Sequence, residues 1–583
     1  MLDTTHRRIG LLIALAAFLG LAGGGAAWLL LKLIGLLTNL ALFHRWGTEV
    51  PSFAGWQPNW TLVPVAAAGG LAVSLLALRW PAIRGHGIPE TMEAVLTRHS
   101  KIAPGVAFAK PASAALAIGT GGPFGAEGPI IVTGGAIGSL MGQVLHVSPA
   151  ERKILLACGA AAGMAATFGA PIASVMLAIE LLLFEFSSRA LIPLIVSSSI
   201  AAGVHSLLQQ PGPLFSVPVH DYSGLAKLPA FAVVGVLCGL LAVGIAKGLF
   251  FTEELYRRLP IREFWHPVIG ACGFSLIGLA VPRVLGVGYE AIGDILHNRL
   301  ALATLITLGL AKLVAWWIAL GSGTSGGTLA PMLLISGCFG GAAGMAAETW
   351  LPWLHLSPGA VALVFMAATF GAATGATFAA IVFLFELTGD YQVILPLMIA
   401  TVIASFVSRG LMAETLMTEK LSRRGLKVGR AFEVDVFRHT LVRDAMTALV
   451  HTLPSDATVA EARVALQRSN HHAYPLVDAS GRCSGLATRN DLLLDSSDTT
   501  ELVSEICNDD PVAVRDSDTL AYALEMMLSE GVEQLVVLDA QARFAGICTR
   551  TDVLKVRMGR VEQEQRQAGW FPVRRRPTAD QPF

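Results

Sequence analysis

The chain has 583 residues, is 54% hydrophobic and only 14% charged, and its 42 basic side chains balance 42 acidic ones. Soluble domains carry roughly 25% charged residues, so most of this chain is expected outside water. A formal net charge of zero gives no reason to expect a nucleic-acid partner.

The N-terminal residues MLDTTHRRIG lead straight into the first of four uncharged runs, at residues 9–31, 154–179, 313–347 and 349–385. Each reaches or exceeds the ~20 residues that span a bilayer, which predicts a polytopic α-helical membrane protein. Arg7 and Arg8 resemble the start of a signal peptide, but the run is long and no small-residue cleavage site follows, so it reads as a retained membrane helix. Three glycine/proline motifs then stand out: GHGIPE (85–90), GAEGP (125–129) and GTLAP (327–331). Between Pro111 and Ala150, Glu127 is the only Asp, Glu, Lys or Arg. GAPIASVMLAIEL (169–181) is echoed by GATFAAIVFLFEL (375–387), and GAEGPIIVTGG (125–135) by GTLAPMLLISG (327–337). Two similar halves with Gly/Pro-broken segments are the pattern of repeat-built transporters, whose substrate lies between discontinuous helices.

Near residue 418 the character changes. Glu419, Lys420, Arg423, Arg424, Lys427 and Arg430 follow the last apolar block, and such a basic cluster marks the cytoplasmic side. Arg7 and Arg8 place the N-terminus there too. The soluble remainder repeats as well, GLATRNDLL (485–493) recurring as GICTRTDVL (546–554) after the β-like runs YPLVD and QLVVLD. The reading is therefore a membrane domain at 1–420, a cytoplasmic linker at 421–439, tandem α/β modules at 440–497 and 502–558, and a disordered tail at 559–583. The seven cysteines form no CxxC pair and read as structural thiols.

In each membrane motif, glycines precede a proline and an apolar helical run. Proline suits a first helical turn, and glycine lets backbone approach a ligand. Helix N-termini offer unpaired N–H groups and about half a positive charge, so several such ends converge well on an anion. Irregular backbone inside a membrane is tolerated only where it is buried in protein or lines a cavity. Glu127, a carboxylate in this setting, can occupy the place of a permeant anion and leave it on protonation. An ionisable residue inside the membrane is functional by default.

These motifs identify the chain as resembling the CLC family of chloride channels and chloride/proton exchangers, with a paired CBS module behind. GAEGP is similar to the family's G(K/R)EGP, GHGIPE to GSGIP and GTLAP to GxFxP. Lys110, 17 residues before Glu127, and FELTGDY (385–391) also match. The resemblance implies a homodimer in the cell (inner or plasma) membrane, both termini cytoplasmic, each subunit with its own pore. It implies Glu127 as gate, and His86, Gly87, Ile88, Gly125, Ala126, Gly128, Thr328, Leu329 and Met417 as the anion-binding set. Chloride is then the ligand, and no cofactor is expected in the membrane part.

Departures from the pattern carry their own expectations. His86 replaces the serine that contacts the central chloride, Met417 the tyrosine facing it, Leu329 a phenylalanine and Ala126 the basic residue before the gate. Leu181 stands where exchangers commonly carry a proton-relay glutamate, which leans the reading toward a voltage- or pH-gated channel. A protonated His86 would attract anions, and Met417 reads as an apolar stopper at the inner constriction. Glu180 and Glu386, at matching places in the repeats, read as structural groups tying helix ends. In the tail, Thr488, Asp491, Thr549 and Asp552 fit the T-x-x-D signature of CBS modules, implying a site for ATP, ADP or AMP. Chloride/proton antiport and export of another anion, such as fluoride or nitrate, are the alternatives within the family. A CBS-regulated divalent-cation transporter, the alternative from another class, would need clustered carboxylates. No nucleophile, acid/base pair or metal cluster accompanies the motifs, so no enzyme is expected.

Overall fold

The computed structural model describes residues 2–145, 147–184, 186–209, 212–215, 217, 227–426, 437, 440–448, 450–468, 473–494, 501–507 and 510–556. Lys427 and Arg430, most of the expected linker and the expected tail at 559–583 lie outside them. The chain divides into two compact units, Met1–Phe432 and Glu433–Phe583.

The first half of the first unit comprises α1 (Leu2–Leu42), α2 (Leu62–Arg79), α3 (Ile88–Thr97), α4 (Val106–Gly119), α5 (Glu127–Val144), α6 (Pro149–Phe168), α7 (Pro171–Ala178) and α8 (Ser188–Leu208). The second comprises α9 (Leu228–Arg258), α10 (His266–Ala280), α11 (Tyr289–Leu296), α12 (Leu302–Gly321), α13 (Leu329–Trp350), α14 (Pro358–Thr374), α15 (Thr377–Thr388) and α16 (Ile394–Leu411), and a short α17 (Glu419–Arg423) follows. The halves pack alike. α5 lies on α6, α6 on α8 and α1 on α8; correspondingly α13 lies on α14, α14 on α16 and α9 on α16. α2 meets α10 and α7 meets α15 across the middle, as halves related by a twofold must. The repeat that two motifs revealed in the sequence thus extends over eight helices, and the fold is an inverted repeat of discontinuous helices.

Seven helices among the described residues are long and apolar enough to cross a membrane, Arg8–Leu42 and Leu329–Trp350 among them. Three of the uncharged runs are not single spans. Gly169 ends α6 and Gly375 ends α14 in the left-handed region, at φ 66° and 82°, and residues 322–328 separate α12 from α13. Hydropathy cannot register such breaks, because glycine is apolar by composition while its backbone ends the helix. Small residues also let helices close on one another. A Cβ on Gly134 would collide with the Gly159 carbonyl of α6, and one on Gly159 with the Gly134 carbonyl of α5.

The second unit contains two modules of one design. β1 (Leu453–Pro454) pairs parallel with β2 (Ala473–Val477), which pairs antiparallel with β3 (Cys483–Thr488). β4 (Ala513–Arg515), β5 (Gln534–Leu538) and β6 (Phe544–Thr549) repeat that topology. Helices Val459–Arg468 and Leu520–Ser529 lie between the first and second strands of each sheet. The modules exchange leading segments: Val442 is buried in the core of the second and Val503 in that of the first. Backbone pairing fixes the exchange, Leu441 with Thr519 and Thr458 with Leu502.

Candidate functional site

The two halves build matching loops. After a 3-10 turn at Pro81–Ile83, Gly85 and Gly87 take φ of 80° and 93°; after Pro282–Val284, Gly286 and Gly288 take 62° and 88°. Each loop is held by a buried lysine. Lys110 Nζ donates to the carbonyls of Ile83 and Gly85, both at 2.7 Å, and Lys312 Nζ donates to those of Val284 and Gly286, both at 2.8 Å. Both ammonium groups are fully buried, so each is viable only because carbonyl oxygens replace its water. Lys110 precedes Glu127 by 17 residues and Lys312 precedes Leu329 by the same number. Leu329 is therefore the counterpart of Glu127, Val287 of His86, and Tyr289 of Ile88.

The loops before α5 and α13 meet directly. Gly125 N donates to Gly327 O at 3.3 Å and Gly327 N to Gly125 O at 2.8 Å, an antiparallel bridge between the repeats. Glu127 opens α5, 1% exposed, with its carboxylate over this bridge. A Cβ on Gly125 would lie 2.5 Å from the Glu127 Cδ, and one on Gly327 2.8 Å from Oε2. Tyr289 Oη, from the opposite repeat, donates to Glu127 Oε1 at 2.8 Å. Oε2 is buried with no hydrogen-bond partner. The backbone N–H of Ala330, at the start of α13, and the Lys312 ammonium act on the carboxylate from the second repeat.

Around it the structure gathers several of the expected residues. Gly128 is wedged between loops: a Cβ there would strike the His86 carbonyl and lie 3.2 Å from the Gly327 Cα. Gly87 caps α3 beside Val132, with Ile88 next and buried. Ala126 and Thr328 are the N-cap residues of α5 and α13, and Leu329 is buried. The His86 side chain is buried with Nδ1 unpartnered; Glu90, Lys110 and Lys420 are the charged groups acting on it. Met417 is fully buried in the turn between α16 and α17, where Leu416 N donates to Ala373 O at 2.9 Å. Leu181 is buried in a π-helical turn, Ile179–Leu183, that packs on α3. Beside it, Glu180 accepts from the N–H groups of Phe378 and Ala379 at 3.2 and 3.1 Å, closing the N-terminus of α15. Glu386 does the same for α7, accepting from Ile172 and Ala173 at 3.0 and 2.7 Å.

Sequence reasoning missed Tyr289 and Lys312. The signal lay in GVGYE (286–290), a proline-free echo of GHGIPE, and in the repeated lysine spacing.

In the second unit each Thr–Asp pair closes the first turn of a helix, with the Thr just before it and the Asp inside it. Thr488 N donates to Asp491 Oδ2 at 2.7 Å. Thr549 donates to Asp552 Oδ2 from N at 3.0 Å and from Oγ1 at 2.7 Å. Asp552 is buried and also receives Thr447 Oγ1 at 3.5 Å, whereas Asp491 is half-buried.

Comparison with known proteins bears on all of this. A family model described as voltage gated chloride channel matches residues 69–409, and the CBS domain model matches residues 442–497 and 503–559. The H(+)/Cl(-) exchange transporter ClcA of Vibrio cholerae is 30% identical over 315 residues, 53% of this chain and 67% of that one. Chloride channel protein CLC-f of Arabidopsis thaliana is 27% identical over 560 residues, 82% and 70% of the two chains. A crystal structure of a slow cyanobacterial Cl-/H+ antiporter superposes with a TM-score of 0.62 at 25% identity, covering 71% of this chain and 96% of that one.

Proposed function

Because the chain belongs to the voltage gated chloride channel (CLC) family and carries two CBS domains, we propose that it conducts chloride where the repeat loops meet, with Glu127 as the gate. The observation that carries this is the Glu127 carboxylate lying over the Gly125–Gly327 bridge, at the N-termini of α5 and α13. Those ends favour negative charge, and the ionised side chain takes the place an anion needs. Protonation removes that charge, the side chain swings away, and chloride takes up the freed donors.

Conduction is passive in this reading. Leu181 is buried in the core with Leu182, and the neighbouring Glu180 carboxylate is committed to α15. No ionisable group in that turn is free to hand a proton toward Glu127. Coupled chloride/proton exchange, the activity named for the Vibrio relative, is the second reading. The unpartnered His86 Nδ1 and Glu90 Oε2, near Lys420, favour it. His86 and Met417 leave fluoride or nitrate to a selectivity assay. A divalent-cation transporter has least support, since no carboxylate or histidine cluster fit for a metal occurs among the described residues.

We place the protein as a homodimer in the cell (inner or plasma) membrane, termini cytoplasmic, with the CBS pair as a regulatory module. Asp491 is the more open nucleotide candidate, because Asp552 is buried and committed to its helix. The test of the gate is chloride efflux from vesicles at a series of pH values. Efflux is expected to rise on acidification, and Glu127→Gln to be open throughout; a pH dependence that survives in Glu127→Gln refutes it.

A further inference from the structure

We propose that the Tyr289 hydroxyl latches the gate shut and then, once the gate has swung away, becomes a ligand of the permeating anion. This rests on Glu127 being the gate.

Three observations converge. The hydroxyl donates to Glu127 Oε1 at 2.8 Å, and this is the only side-chain hydrogen bond the carboxylate receives among the described residues. The ring is held for that purpose: Gly288, at φ 88°, caps α11 immediately before it, and Phe168 and Phe215 meet it edge-on at centroid distances of 6.3 and 6.1 Å. An aromatic fixed on two sides returns to one place, so the donor stays when the acceptor moves. Tyr289 also lines a cavity of about 350 Å³ with Ser52, Phe53, Arg283, Val287 and Glu290. The residue that holds the gate thus faces open space on one side and the carboxylate on the other.

The anion site needs such a donor. The two positions at which the family resemblance puts hydroxyl ligands hold His86 and Met417, and a methionine thioether donates nothing. When Glu127 leaves, the half-buried phenolic hydroxyl loses its acceptor, which is costly unless another takes its place. An anion entering the vacated position supplies one. The hydroxyl therefore serves two acceptors in turn, a carboxylate in the closed state and chloride in the open state. The other charged groups facing this region are already engaged. Lys312 binds the Val284 and Gly286 carbonyls, Arg283 binds Asp294, and Glu290 accepts from Ser52. Glu127 is thus the group whose protonation the hydroxyl controls.

The experiment is chloride efflux from vesicles holding the full-length protein, as wild type, Tyr289→Phe, Glu127→Gln and the double variant. Removing the latch makes the closed gate easier to protonate. Tyr289→Phe is expected to move the pH midpoint upward by about one unit, a tenfold change in proton activity. In the Glu127→Gln background, where no gate remains, adding Tyr289→Phe is expected to raise the half-saturating chloride concentration several-fold. An unmoved midpoint in Tyr289→Phe, or unchanged chloride dependence in the double variant, overturns the proposal while leaving the gate intact if Glu127→Gln alone abolishes pH dependence. A pH dependence that persists in Glu127→Gln instead overturns the gate and the latch with it. Should Tyr289→Phe not fold, a monofluorinated tyrosine at 289 keeps the ring and donates more strongly. The midpoint must then move to lower pH, and an unmoved midpoint overturns the latch.

Discussion

Gly125→Ala is a demanding perturbation, because it alters the gate without touching its chemistry. A methyl on Gly125 would overlap Glu127 Oε2 outright and sit 2.5 Å from Cδ and 2.8 Å from Oε1. Non-bonded carbons need about 3.5 Å, so the carboxylate must shift by roughly 1 Å or more. That shift carries Oε1, now 2.8 Å from Tyr289 Oη, out of hydrogen-bond reach. Hydrogen bonds to charged groups contribute about 1.5–3 kcal/mol, and about 1.4 kcal/mol is tenfold, so the closed state is weakened about 10- to 100-fold. Chloride efflux from vesicles at alkaline pH, where the wild type is shut, is the assay. Gly125→Ala is expected to leak at least tenfold faster there, with its pH midpoint moved upward by about one to two units. Gly25→Ala in α1, where nothing lies within 4 Å of the added methyl, is the control and should behave as wild type. If Gly125→Ala folds and keeps both the wild-type rate and its pH dependence, the carboxylate does not sit where gating requires it.

Other outcomes follow from the same geometry. Glu180→Gln and Glu386→Gln each replace a doubly accepting carboxylate with an amide, so each should cost about 1 kcal/mol as lost caps do; unfolding midpoints in detergent that stay put would show that water already satisfies α15 and α7. Lys312→Met strips the Val284 and Gly286 carbonyls of their donor and should cost about 2–4 kcal/mol, read as reduced thermal stability; a variant as stable as wild type would show those carbonyls indifferent to the ammonium. In the second unit, the Ser480 hydroxyl and Arg482 N–H hold the Asp478 carboxyl below the usual range, and the Arg543 N–H does so for Asp539. A carboxyl held low in the fold stabilises it wherever the unfolded chain's group is ionised, above about pH 4, and that contribution fades as pH falls through the folded value. Amide protection in the β5–β6 hairpin, taken relative to the intrinsic exchange rate at each pH, should therefore fall on acidification in the wild type and lose that response in Asp539→Asn. Nucleotide titration of the full chain should show ATP, ADP or AMP binding that Asp491→Ala abolishes; undiminished binding in that variant would move the site elsewhere.

Much of this was legible in the sequence because chemistry and spacing coincide there. A lone carboxylate between glycines and before a proline, Glu127, marks a helix start that no purely structural membrane segment needs. The second half of the site was harder to see. Leu329 occupies the place of Glu127 and Val287 that of His86, so the second repeat keeps the backbone design while losing the polar side chains that draw the eye. Tyr289 reads as one more aromatic in an apolar context; its partner lies 162 residues away, and only the fold brings them together. The helix breaks at Gly169 and Gly375 were hidden because hydropathy sums composition and is blind to a left-handed backbone. In the tail, the T-x-x-D pattern has a local use, capping a helix, whether or not a nucleotide binds.

Proton-driven chloride movement tests the central claim most directly. Vesicles holding the full chain, with chloride equal on both sides, are given a pH difference while internal chloride is followed. The expected result is no uphill movement, only a passive leak that grows at acid pH and loses that response in Glu127→Gln. Chloride accumulating against its own gradient, driven by protons, would contradict passive conduction and require a proton route past Leu181.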